Sequence, residues 1–203
     1  MSSVAAARPL LAYCPAAKAQ AFLSRRQGSA LSARERAVLA ALSSPKRRLD
    51  WCSGRLAVKA AAGRWLAMRG DILPEADIEV VNGESGRPCA RLPKRWACVP
   101  FIPLSHCAAG GCAAAHDAPV GADWEPVAAR EPGVVAYFAR EGEDASTPRT
   151  QTALWTVKEA VLKMLGLGLS GGLKNVHWDG RTTTLYGTAL EKWNELGNRG
   201  FAV

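Results

Sequence analysis

The sequence predicts an α/β (α+β) fold, and three observations predict it. Two segments, 46–68 and 152–165, carry apolar residues at helical spacing. Around them run short apolar or alternating stretches broken by turn chemistry, the pattern of strands. Both kinds of segment occur in each half of the chain in similar proportion, although no exact internal repeat is visible.

The first half opens on an expected strand at 8–14. Leu31, Ser32 and Glu35 then form a capping-box pattern ahead of the VLAAL run, with Ser32 as the N-cap. In 46–68, Leu49, Trp51, Leu56, Val58, Ala62, Trp65 and Leu66 recur at helical spacing and Gly70 follows as a stop. The start of that helix is strongly basic. Residues 78–81 alternate as a short strand, and NGESGRP after them has the Asn-Gly, Ser-Gly and pre-proline chemistry of tight turns. WACVPFIPLSHC reads as a strand leading into Ser105 and His106. GGCAAAH and APVGADWE read as two further buried strands joined by a turn at Asp117.

In the second half a helix is expected at 132–140, followed by a polar loop punctuated by Pro148. The clearest helix is 152–165, with Leu154, Val157, Val161 and Leu165 on one face and Gly166 as its stop. KNVHW and TTTLYGTAL read as a hairpin turning at Asp179-Gly180.

Composition bounds the function. With 203 residues and 48% hydrophobic content the chain can bury a core. The balance of 26 Lys and Arg against 18 Asp and Glu gives +8, which favours an anionic partner: a nucleotide, a nucleic acid or an acidic protein. No apolar run approaches the roughly 20 residues of a membrane helix, and Arg8 and Pro9 break the apolar N-terminal stretch. A cytoplasmic protein that does not engage membranes is therefore expected. The six cysteines include no CxxC pair, which argues against a zinc ribbon or a thioredoxin-type motif; they read as reduced, mostly buried small residues.

Two short strings carry chemistry. In GADWE, Asp123 and Glu125 are two residues apart, so on a strand both would leave the same face, about 6 to 7 Å apart, a separation suited to one shared hard cation. Magnesium takes oxygen ligands and usually keeps waters or phosphate oxygens beside one or two carboxylates. In WTVKEAVLK, Glu159 and Lys163 lie four apart on one helical face while Lys158 points elsewhere.

Taken together, WTVKEAVLK followed by GLGL and the upstream GADWE resemble the C-terminal and Gly-x-Asp-x-Glu signatures of the Sfp-type 4′-phosphopantetheinyl transferases. GESGRP resembles that family's Gly-Lys-Pro turn, PLSHC its Ser-His segment, and WCSGRLAVKAA its Gly-Arg-x-x-x-Lys helix. The five occur in the family's order over most of the chain.

The resemblance implies a magnesium-dependent enzyme that moves the 4′-phosphopantetheine arm of coenzyme A, its co-substrate, to a serine hydroxyl of an apo acyl or peptidyl carrier protein, releasing adenosine 3′,5′-bisphosphate. Two similar subdomains, 1–103 and 104–203, would be related by pseudo-two-fold symmetry, with the metal site in the second, and the chain would act as a monomer. Asp123, Glu125 and Glu159 would hold magnesium, while Lys158 and Lys163 would add positive charge at the pyrophosphate. Asp123, Glu159, Lys163 and a proton acceptor would form the catalytic set. That acceptor is Glu143 by spacing from Asp123, Glu141 by the preceding Tyr137-Phe138 pair, or a metal-activated water. Ser105 and His106 would contact coenzyme A, with Arg87 in place of the family lysine and Lys46, Arg48 and Arg55 as candidates for the 3′-phosphate.

Two departures are notable. Trp124 stands where the family has a small aliphatic residue, which implies a larger pocket behind the strand or a local shift, and the chain ends soon after GTAL, so the final strands of longer members are expected to be missing or shortened. The competing readings are a magnesium-dependent nuclease, disfavoured because Val127 and not a lysine lies two residues beyond Glu125, and a non-catalytic coenzyme A-binding module, disfavoured because every metal-ligand position is a carboxylate.

Overall fold

In a computed structural model of the chain, residues 8–25, 28–83, 88–93 and 100–197 are described. The chain divides into two compact units, Met1–Val120 and Gly121–Val203. The expected subdomain boundary at 103/104 falls inside the first of them, because strands on both sides of it pair in one sheet.

In the first unit, β1 (Leu10–Pro15) leads into α1 (Ala16–Ser24), α2 (Ala33–Ala41) and α3 (Pro45–Ala67), followed by β2 (Glu79–Asn82), β3 (Pro88–Arg91), β4 (Leu104–Cys107) and β5 (Gly110–Ala115). The predicted capping box is present: Ser32 Oγ accepts from the Glu35 amide and the Glu35 carboxylate accepts from the Ser32 amide. Helix α3 starts with Ser44 as its N-cap and Pro45 in the first turn. The sheet order is β1-β5-β4, with antiparallel neighbours, and β2 and β3 form a separate antiparallel hairpin.

Central β5, GGCAAA, is buried along its whole length. Its small side chains let α3 lie close, and the limit is at Gly111, where a Cβ would come within 2.7 Å of the Ser53 backbone. Ala57, Val58, Ala61, Ala62, Trp65 and Leu66 of α3 close the core against Ala12, Cys14, Ala113 and Ala115. Burial, with a contribution from Cys14, pushes the Cys52 thiol up to about 12, so this core cysteine stays protonated.

In the second unit, α4 (Pro132–Phe138), α5 (Pro148–Leu165), the antiparallel pair β6 (Val176–Trp178) and β7 (Thr183–Leu185), and α6 (Gly187–Glu195) surround one core. Leu154, Val161, Leu162 and Leu165 of α5 pack with Phe138, Leu173, Val176, Leu185 and Ala189, and Gly166 ends the helix in the left-handed conformation. At the turn between β6 and β7, Asp179 accepts from the Arg181 and Thr182 amides and the Thr182 hydroxyl, which hold its carboxyl at about 2.

Two expectations need correction. APVGADWE is not a strand: residues 119–131 have no regular secondary structure. The segment is instead held to α5, where a Cβ on Gly121 would collide with the Ala160 backbone. GTAL does not continue β7 but opens α6, because Gly187, at φ 45°, turns the chain out of the extended conformation. Among the described residues, no helix is long and apolar enough to cross a membrane.

Candidate active site

The second unit brings the three predicted metal-ligating carboxylates into one electrostatic cluster. Helix α5 places Glu159 and Lys163 one turn apart on one face, as their spacing requires. The 121–125 segment, seated on the same helix through Gly121, delivers Asp123 and Glu125. The Lys163 ammonium then donates to Asp123 Oδ1 at 2.5 Å and lies 3.1 Å from Glu159 Oε2.

The groups perturb one another in the sense their charges require. Burial pushes the Glu125 carboxyl up from its ordinary value and the neighbouring charges of Asp123 and Glu159 add to this, while Arg130 and Lys163 oppose them. Burial alone would lower Lys163, yet its hydrogen bonds and charge pairing with Asp123 and Glu159 outweigh this and raise it. The cluster is therefore a crowded set of carboxylates balanced by one ammonium. Among the described residues, no three His, Cys, Asp or Glu side chains are gathered closely enough to hold a metal ion by themselves. In donor chemistry the three carboxylates fit magnesium, which takes hard oxygen ligands.

Arg130, which sequence reasoning missed, borders this cluster. Its guanidinium lies 4.5 Å from the Trp155 ring centroid, and its backbone amide donates to Gln151 Oε1. No local pattern marks it, because it reaches the cluster by stacking on a helix two dozen residues later. Trp124, the departure between the two acids, is half-buried.

Glu143 and Lys158 are placed elsewhere. Lys158 is fully buried and donates to Phe138 O and Glu143 Oε2, both at 2.7 Å. Glu143 also accepts from the Arg140 amide at 2.7 Å and, through Oε1, from the Trp178 amide at 2.8 Å. With its side chain buried and both oxygens engaged, Glu143 is held in a buried ion pair with Lys158, a placement that favours neither the proton-acceptor role for the one nor the pyrophosphate role for the other. Glu141 remains exposed on the turn after α4.

The first-unit candidates divide. Arg48 donates through one nitrogen to Leu39 O at 2.6 Å and Leu42 O at 3.1 Å, so its guanidinium caps the end of α2. Lys46 is exposed and pairs with Asp50 at 2.6 Å. Arg55 is half-buried, 5.0 Å from the Trp51 ring centroid, and burial lowers its pKa. Ser105 is buried and His106 exposed at successive positions of β4, so the two side chains leave opposite faces of the strand. Arg87 lies outside the described residues.

No curated protein matches the sequence. A solved structure of a holo-(acyl-carrier-protein) synthase from Bacillus anthracis, in complex with CoA (3′,5′-ADP), is similar at 20% identity with a TM-score of 0.44, covering 54% of this chain and 96% of that chain. Residues 119–195, which contain all three carboxylates and Lys163, match the family model of the 4′-phosphopantetheinyl transferase superfamily, the enzyme class expected from the sequence.

Proposed function

We propose that the chain is an Sfp-type 4′-phosphopantetheinyl transferase, which moves the phosphopantetheine arm of coenzyme A to the serine hydroxyl of an apo carrier protein and releases adenosine 3′,5′-bisphosphate. The observation that carries this reading is the Asp123–Glu125–Glu159 cluster around Lys163, inside the segment that matches the superfamily. Asp123, Glu125 and Glu159 would hold magnesium. When bound, the ion supplies charge neutralisation at the pyrophosphate.

The chain's own groups account for the rest. Lys163, already positioned by two carboxylates, would supply positive charge to the negative charge that develops on the leaving phosphate. Arg130, stacked on Trp155 beside Glu125, extends that positive edge. The serine proton passes to Glu141 or to water, since Glu143 is engaged by the Lys158 ammonium and two backbone amides. Exposed His106 and the basic residues of the first unit, which holds all of the excess positive charge, are the proposed contacts for coenzyme A and for an acidic carrier. A cytoplasmic monomer suits this activity.

The test is incubation of the chain with coenzyme A, magnesium and an apo carrier protein, followed by intact-mass measurement. A mass gain of one phosphopantetheine on the carrier is expected. No gain across fatty-acid, polyketide and nonribosomal-peptide carriers would overturn the reading.

A further inference from the structure

The buried pair Lys158–Glu143 has a counterpart in the other unit. There Lys59, on α3, is fully buried; it lies 2.7 Å from Glu35 Oε2 and donates to Glu75 O at 2.8 Å and Ile78 O at 2.5 Å. The two carboxylates are used in the same way. Glu35 Oε2 also accepts from the amide three residues earlier, Ser32, and Oε1 accepts from Val80 on β2. Glu143 Oε2 accepts from the amide three residues earlier, Arg140, and Oε1 accepts from Trp178 on β6. In each unit one glutamate thus ties a lysine of the long helix to a preceding turn and to a following hairpin.

The correspondence continues along the helices. Five residues beyond Lys59 is Arg64, whose guanidinium bonds the Leu11 carbonyl; five residues beyond Lys158 is Lys163, which bonds Asp123. The residue after the buried lysine differs, being Ala60 in the first unit and Glu159 in the second. The first unit therefore holds the same clamp without the carboxylate cluster.

We infer that the Lys158–Glu143 pair is a positioning element for the carboxylate site, fixing the rotation of α5 so that Glu159 and Lys163 face Asp123 and Glu125. Successive helical residues are turned by about 100°. With Lys158 held on one side by Phe138 O and Glu143, its neighbour Glu159 is held to the side where Asp123 meets Lys163. Three anchors fix that angle: the turn after α4, β6 and the helix itself. This inference rests on the reading of the three carboxylates as a magnesium site.

The experiment compares Glu143→Gln and Lys158→Arg with Glu35→Gln and Lys59→Arg in the full chain. Two readouts are taken: the rise in Tm caused by magnesium alone, and kcat and the half-saturating magnesium concentration of carrier modification. The second-unit variants should fold, need about tenfold more magnesium or beyond, as supporting partners of metal ligands do, and show a reduced magnesium-induced rise in Tm. The first-unit variants should lose stability and keep the wild-type magnesium requirement. Lys158→Arg, which keeps the charge, should lie nearer wild type than Lys158→Met. Second-unit variants with unchanged magnesium dependence would overturn the inference. So would their failure to fold under conditions where the first-unit variants fold, since the pair would then be a folding element alone. A wild-type chain with neither magnesium response nor transfer would instead remove the magnesium reading itself.

Discussion

The Lys163 ammonium lies 2.5 Å from Asp123 Oδ1, across 40 residues of sequence, and this bond joins the two strings that carry the chemistry. It binds an irregular segment to a helix, so the site depends on the packing of 121–125 on α5 and not on strand pleating. Asp123→Asn removes one charge from Lys163 and one hard ligand from the cluster. Magnesium-dependent carrier modification should fall by about 100-fold or more while far-UV circular dichroism stays unchanged.

Glu125 is raised by burial and by the charges of Asp123 and Glu159, so the folded chain holds its proton more tightly than the unfolded chain. For such a group the stabilising contribution is present below its ordinary carboxyl range and lost as pH rises through the higher folded value. Glu125→Gln should therefore melt above wild type at neutral pH without divalent ions, and the difference should vanish on acidification. Calorimetry from pH 4 to pH 8 reads this directly; a variant that melts below wild type at neutral pH would contradict it.

Gly121 owes its place to the absence of a side chain, because a Cβ there would meet the Ala160 backbone. Gly121→Ala must push the segment away from α5. A loss of about 2–3 kcal/mol in denaturant titration is expected, together with reduced carrier modification, since Asp123 and Glu125 move with the segment.

Lys59 and Glu35 form a buried pair in the first unit, 0% and 3% exposed at the side chain. Removing one partner leaves an unpaired buried charge, so Lys59→Met should cost about 3–5 kcal/mol by urea unfolding.

Arg48 caps α2 through two carbonyls. Arg48→Met should lower stability by about 2 kcal/mol and leave the KM for coenzyme A unchanged once the measurement is made well below the melting temperature. A large rise in KM with unchanged stability would return Arg48 to the coenzyme.

Local signals placed most of the fold. Helix α3 was expected over 46–68 and forms at Pro45–Ala67, and the Ser32 capping box and the Gly166 stop are where spacing put them. Errors came where a local pattern had two outcomes. An acidic string flanked by apolar residues reads equally as a strand or as a loop pressed on a helix, and only the Gly121–Ala160 approach decides between them. TTTLYGTAL reads as one strand because the break at Gly187 is a backbone angle, invisible in the letters.

By itself, the sequence determined the α/β class, the long helices and the charged residues of the chemistry, because periodicity, caps and motif spacing are properties of neighbours along the chain. Tertiary structure decided which charges meet. It drew Lys163 to Asp123, and it buried Lys158 and Glu143 against each other. It also turned Arg48 onto the end of α2. The physical reason is shared: a charge that loses water takes the nearest partner that packing leaves it, and for Lys163 and Lys158 that partner lies 40 and 15 residues away along the chain.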